Sequence, residues 1–303
     1  MKAAIYFNEL QPLLYGYYIC KGVIFLHRKI SAAVFTVLTA MFMCGCTSDK
    51  NTVGQSGGHN DRGGVTPAET AFLTDGKEKV CYGQGYETDS DNRPVGAIQA
   101  QEKYGSYGGR FIFGKDDKTI RLTFDEGYEN GCTGKILDIL KEKKVTATFY
   151  VTLDYVKSSP ELVQRMINEG HEVGNHSCTH PSLPDISDDM VFEEIHGLET
   201  YISDNFGGYK TVTMRPPRGE FSVRTLRIAK NMGYDTVLWS FAYNDWNTDA
   251  QPDRDTAYRR ITSATHNGAV YLLHAVSETN TAILPDVIDY WLDNGYTVKS
   301  ISG

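Results

Sequence analysis

The chain has 303 residues, with 30 Lys plus Arg against 38 Asp plus Glu and a formal net charge of −8. Hydrophobic residues make up 41% and charged residues 22%, an ordinary globular balance that leaves room for a large core. The acidic balance argues against nucleic acid, or an anionic membrane surface, as a partner reached by bulk electrostatics.

In chain order, the first feature is a positive cluster, His27-Arg28-Lys29, followed by an uncharged apolar run from Ile30 to Met43 and then Cys44-Gly45-Cys46. A membrane span needs about 18–20 apolar residues; this run is shorter and suits the core of a signal peptide. Residues 1–45 are therefore read as a leader. Cys46 after a small residue resembles the lipidated cysteine of a bacterial lipoprotein, with an uncleaved anchor as the alternative. Either way the chain is expected to be exported and tethered at the outer face of the cytoplasmic membrane. The residues before Arg28 are long for a signal peptide, and a later translation start would remove them.

Residues 46–94 are rich in Gly, Ser, Asn, Asp and Thr, as in Gly54-Gln55-Ser56-Gly57-Gly58 and Asp89-Ser90-Asp91-Asn92. They offer little apolar surface against the entropy of ordering and read as a disordered tether. With Cys46 lipidated, Cys81, Cys132 and Cys178 remain, an odd set that does not read as a disulfide framework.

Globular patterning runs over 95–303. Strands are expected at Thr119–Phe124, Thr146–Val151, His171–Gly174, Thr211–Met214, Thr236–Trp239, Ala269–Leu273 and Thr297–Ile301. Helices are expected at Thr133–Lys143, Pro160–Glu169, Ser187–Asn205, Ser222–Asn231, Asp253–His266 and Ser277–Asn294. Ser159 and Ser187 read as helix starts, and Gly170, Gly207, Gly233 and Gly295 as helix ends. Strands alternating with helices imply an α/β fold with parallel pairing and right-handed crossovers.

Five of these strands end abruptly in polar residues of catalytic type, as a barrel with its chemistry at the carboxyl edge would. Asp125-Glu126 places two carboxylates side by side at a strand end. They can divide the work of base and metal ligand, or form a solvated acidic turn. His176 and His180 are spaced i, i+4, so on a helical turn both could reach one metal ion. Arg215-Pro216-Pro217-Arg218-Gly219 is stiffened by its prolines, and a rigid arginine can hold a carboxylate ionised. Asp245 and His274 end the last two units; an aspartate bonded to a histidine favours the imidazolium that a general acid needs. Taken alone, His274 is more readily a satisfied core histidine than a catalyst. A zinc protease is disfavoured, because no His-Glu-x-x-His pattern occurs.

In this order the motifs resemble the NodB-homology polysaccharide deacetylases, carbohydrate esterase family four. The stretch from Thr123 to Gly131, with Arg215–Gly219 and Trp239–Trp246, resembles the PdaA-type, delta-lactam-biosynthetic de-N-acetylase subgroup. The resemblance implies a deformed (β/α) barrel of about seven parallel strands. It implies hydrolysis of the acetamide of N-acetylmuramic acid in peptidoglycan glycan strands, on the way to muramic δ-lactam of the spore cortex. Asp125 would be the general base, Arg215 its orienting partner, His274 the general acid and Asp245 its support. His176, His180 and Glu126 would hold a divalent metal, zinc by expectation; Glu126 stands where the wider family has Asp. Backbone N–H groups after Pro217 would form an oxyanion hole. Arg218 would grip the lactyl carboxylate, and Trp246, Leu272 and Tyr128 would line the substrate slot. The chain is expected to act as a monomer. The alternatives are deacetylation of N-acetylglucosamine or another polysaccharide, or a catalytically weak glycan-binding lipoprotein.

Overall fold

The computed structural model describes residues 76–303. The leader 1–45, Cys46 and the tether up to residue 75 lie outside the described residues. A sheet of eight strands, every pairing parallel, forms the centre. Its strands are β2 (Gly109–Arg110), β3 (Thr119–Glu126), β4 (Thr148–Val151), β5 (Glu172–Asn175), β6 (Thr213–Met214), β8 (Asp235–Val237), β9 (Ala269–His274) and β10 (Thr297–Lys299). A separate antiparallel pair joins β1 (Val80–Cys81) to β7 (Glu220–Phe221). All seven expected strands are present, several of them shorter than expected, and β2 is an addition.

The sheet runs β10-β3-β4-β5-β6-β8-β2, with β9 on the other side of β3. A parallel bridge between Phe241, just past β8, and Tyr271 of β9 brings the two ends together. The Ser240 N–H donates to Val270 O and the Leu272 N–H to Phe241 O, each at 2.9 Å. The sheet therefore curls into a deformed barrel, as the family resemblance implied.

Alternation along the strands decides which face each side chain joins. On β3, Ile120, Leu122 and Phe124 enter the outer core beneath the helices, where Ile136, Leu140, Val287 and Trp291 meet them. Arg121, Thr123 and Asp125 take the opposite, inner face. On β9, Tyr271 and Leu273 belong to the outer core, while Val270 and Leu272 pack inside with Tyr150, Phe221 and Trp239. The inner space is tight: a Cβ added at Gly174 of β5 would lie 2.5 Å from the Tyr150 ring. Lower in the barrel the buried Glu172 carboxylate accepts from Thr213 Oγ1 at 2.6 Å and from the Ser302 N–H at 2.9 Å.

Polar side chains cap most of the helix starts. Ser187 accepts from the Met190 N–H, and Ser222 forms a reciprocal capping box with Thr225. Asp253 accepts from the Thr256 N–H and Ser277 from the Asn280 N–H, both at 3.0 Å. Ser159 precedes its helix without a side-chain cap bond. The helices Val95–Tyr104 and Leu153–Ser158 were not expected.

Residues 76–94, read from sequence as tether, are instead folded onto the domain. Val80 and Cys81 pair with Phe221 and Glu220, and Tyr82 is buried. The hydrophilic composition concealed this, although Tyr82 packs edge-on against Phe111 and Trp239 in the inner core. Trp291 is fully buried, packs edge-on to Tyr271 at 4.8 Å and donates from Nε1 to Thr265 Oγ1 at 3.0 Å. Trp291→Ala is expected to cost about 3–5 kcal/mol, read as a lower urea midpoint at unchanged slope.

Candidate active site

The polar strand ends meet at the carboxyl edge of the barrel. Asp125 of β3 and His274 of β9 are direct neighbours in register. Asn175, the last residue of β5, is likewise paired with Met214, the last of β6, so His176 and Arg215 follow side by side. Residues separated by up to about half the chain are thus brought together by parallel registers alone.

Asp125 is the centre of the arrangement. Arg215 Nη1 donates to its Oδ1 at 2.7 Å, with the guanidinium fully buried and the carboxylate 11% exposed. The other guanidinium nitrogens are also used: Nε donates to Val237 O at 3.1 Å and Nη2 to Leu238 O at 3.3 Å. Tyr150 lies under the guanidinium at 4.3 Å and Trp239 at 5.9 Å. Burial by itself would raise the pKa of Asp125. The Arg215 charge and hydrogen bond, helped by the nearby His274, outweigh it, and the net shift is downward.

His274 is paired in the opposite sense. Its Nδ1 is 2.7 Å from Asp245 Oδ1, and its backbone N–H donates to Asp245 Oδ2 at 2.9 Å. Asn280 Nδ2 donates to the same Oδ2 at 2.6 Å, and Tyr243 donates to Asn280 in turn. Burial would lower the pKa of His274, but the Asp245 charge and hydrogen bond, helped by Asp125, raise it. Base-like and acid-like groups with pKa values driven apart therefore face each other on adjacent strands.

His176 Nδ1 bonds the Arg215 carbonyl oxygen at 2.8 Å, which fixes this nitrogen as the donor and leaves Nε2 with its lone pair 3.6 Å from Asp125 Oδ2. The His180 ring stands edge-on to it at 4.9 Å between centroids. Burial keeps both imidazoles neutral: His176 is shifted down, and His180 falls to about 4. Neutral rings with one nitrogen oriented by a carbonyl suit metal ligation.

Glu126 does not join them. The pleat turns it to the helix side, where its carboxyl is fully buried and accepts from Thr133 Oγ1 at 3.3–3.4 Å. Burial, then the neighbouring Glu129 charge, drives its pKa well above the usual carboxylate range. Among the described residues no group of three His, Cys, Asp or Glu is placed to hold a metal ion. The side chains present fit a cation held by two imidazoles with open positions beside Asp125, and do not fit the expected set that includes Glu126.

The remaining expected residues are distributed around this centre. Arg218 is solvent-exposed with a left-handed φ of 60°, and its charge reaches His180 and Asp185. Tyr128 and Trp246 stand 54% and 56% exposed, as platforms rather than walls. Leu272 is buried in the inner core. Of the backbone donors after Pro217, the Gly219 N–H is taken by a turn bond to Pro216 O at 3.1 Å. Cys132 and Cys178 are unbridged thiols, Cys178 lying against Gly197. Asn280, Tyr150 and Trp239 were not singled out in the sequence; an Asn on a helix and aromatics in strands carry no chemical signal there.

The buried, raised Glu126 gives a signed expectation. A group whose folded pKa exceeds its unfolded value contributes stability below the unfolded value and loses it as pH rises toward the folded one. Glu126→Gln should therefore gain stability relative to wild type as pH rises above about 4.5, measured by denaturant unfolding at several pH values. Equal pH dependence in the two proteins would contradict the buried neutral carboxyl.

Three comparisons with known proteins show what this chain is similar to. Residues 114–237 match the family model described as polysaccharide deacetylase. The chain is 43% identical over 200 residues to the peptidoglycan-N-acetylmuramic acid deacetylase PdaA of Bacillus subtilis, covering 66% of this chain and 75% of that protein. It is 42% identical over 218 residues to an uncharacterized 30.6 kDa protein of Geobacillus stearothermophilus, covering 72% and 82%. The solved structure of Bacillus subtilis PdaA, a family 4 carbohydrate esterase, superimposes with a TM-score of 0.71 at 39% identity, over 75% of this chain and 96% of that one. A family 4 carbohydrate esterase from Bacillus anthracis gives a TM-score of 0.62 at 38% identity, over 75% and 95%. Deacetylases of this family are metal-dependent hydrolases of amide bonds. The chain belongs to the polysaccharide deacetylase family, the family 4 carbohydrate esterases.

Proposed function

We propose that this protein removes the acetyl group from N-acetylmuramic acid in peptidoglycan. The observation that carries the reading is the juxtaposition of Asp125, paired with Arg215, and His274, whose pKa Asp245 raises, on neighbouring strands. The similarity to PdaA supports the choice of sugar.

In this reading Asp125 takes a proton from the water that attacks the acetyl carbonyl carbon. Arg215 keeps the carboxylate charged and aimed. His274 then gives its proton to the amide nitrogen as the carbon–nitrogen bond breaks, so that acetate and a free amine leave. Asp245 stabilises the imidazolium before that transfer and Asn280 fixes Asp245. His176 and His180 would hold the divalent cation, and zinc suits such neutral imidazole donors. When bound, the cation polarises the acetyl carbonyl and acidifies the water.

Arg218 is the candidate for telling muramic acid from glucosamine, because the two differ by a lactyl carboxylate that a guanidinium can grip. Its backbone is set by two prolines before it and Gly219 after it. The free amine left beside a lactyl carboxylate is the chemical precursor of a δ-lactam, which supports a role for this chain before a ring-closing step in cortex-type peptidoglycan. The leader and Cys46 support export and lipid tethering next to that substrate, with the enzyme acting as a monomer.

Three measurements test this. Mass analysis of muropeptides after incubation with the protein should show acetyl loss on muramic acid; loss confined to glucosamine would reassign the substrate. Arg218→Tyr should reduce the preference for muramic acid by about tenfold or more, the scale of one hydrogen bond to a charged group; an unchanged ratio would remove the residue from recognition. His274 must be protonated to act, and Asp245 raises its pKa. Asp245→Asn should therefore move the alkaline limb of kcat/KM to lower pH, and an unmoved limb would dissociate the pair from catalysis.

A further inference from the structure

The segment Lys79–Gln84, upstream of the matched family residues 114–237, touches one site loop after another. Lys79 Nζ reaches Asp185 Oδ2 at 2.5 Å and Ser182 Oγ at 3.1 Å, both in the loop that follows His180, and Glu220 Oε2 at 3.5 Å, just past Arg218. Val80 and Cys81 add a strand to β7. The Tyr82 N–H donates to Gly219 O at 3.1 Å, and its hydroxyl donates to Trp239 O at 2.6 Å. Gln84 then forks. Its Nε2 donates to Ala242 O at 3.0 Å, and its Oε1 accepts from Trp239 Nε1 at 2.9 Å. Six residues thus tie together the loops after β5, β6 and β8.

Trp239 is the point where these ties converge on the chemistry. Its indole fills the space over Gly219, where an added Cβ would lie 2.6 Å from Cη2. Gly219 has a φ of +66° and follows Arg218, so the indole backs the turn that presents that arginine. The carbonyls of Val237 and Leu238, immediately before Trp239, hold Nε and Nη2 of Arg215. A shift of the indole is therefore transmitted to both arginines. The strap is itself fixed, because a Cβ at Gly96 would meet the Gln84 carbonyl oxygen at 2.5 Å.

We propose that Lys79–Gln84 is a positioning element of the active site, and that Gln84 seats Trp239 so that Arg215 meets Asp125 in reacting geometry. The segment lies upstream of residues 114–237, the span matched by the family. The proposal rests on the amide-hydrolysing site and not on the choice of sugar.

The test uses the full chain with Gln84→Leu and Trp239→Phe, singly and together, with kcat and KM measured on acetylated glycan and unfolding measured in parallel. Gln84→Leu should lower kcat about tenfold with KM within about twofold, on the scale of a misplaced catalytic group. Trp239→Phe, which keeps a ring and loses the N–H donor, should fall similarly. The double variant should be no slower than the slower single variant, because both remove one interaction. The Trp239 indole N–H, assigned by its loss in Trp239→Phe, should exchange with solvent faster in Gln84→Leu. Wild-type kcat in Gln84→Leu, losses that multiply in the double variant, or unchanged indole exchange would each overturn the proposal. A wild type active on N-acetylglucosamine oligomers but not on muramic acid would sink the substrate assignment alone, and the same comparison would then be read on those oligomers.

Discussion

The site depends on one buried ion pair, Arg215 with Asp125. A fully buried guanidinium is tolerated only when each of its nitrogens finds an acceptor and its charge is balanced. Here Asp125 supplies the charge, Val237 and Leu238 supply carbonyls, and Tyr150 and Trp239 flank the cation. Deleting either member would leave the other uncompensated, a loss of about 3–5 kcal/mol. The pair therefore couples catalysis to folding: β3, β6 and β8 must reach their mutual register before the charge can be satisfied.

The pair also sets the electrostatics of its neighbours. His176 is held by the carbonyl of the same Arg215 and faces the same Asp125. His274, one strand over, senses Asp125 as well as its own Asp245. The result is one ionised carboxylate, two neutral imidazoles and one imidazole biased to its charged form within a single mouth. That division of protonation states is what hydrolysis of an amide with a poor leaving group requires.

The ends of the long strands were legible in the sequence because parallel strands put their last residues at one edge. Asp125, His176, Arg215 and His274 could each be read from an apolar run that stops at a polar residue, and the structure brings all four together. Glu126 could not be placed that way. One step along a pleated strand reverses the face, so a neighbour of Asp125 reaches Thr133 and not the histidines. Asn280 was hidden because it lies on a helix distant in sequence from Asp245. The strap around Val80–Cys81 was hidden because two-residue strands carry no periodicity and its few apolar residues, Val80 and Tyr82, stand alone in a hydrophilic stretch. The helix Val95–Tyr104 buries Ala97, Ala100 and Tyr104, a weak apolar signal, and Leu153–Ser158 is too short to show a stripe.

The central claim is that a buried guanidinium keeps Asp125 ionised where burial would otherwise neutralise it. Its most direct test is the titration of the Asp125 carboxyl carbon by NMR in wild type and in Arg215→Met, assigned with Asp125→Asn. The wild type should titrate below the usual aspartate value of about 3.9, and the variant more than about one unit higher. An Asp125 that titrates at the same pH in both proteins would contradict it.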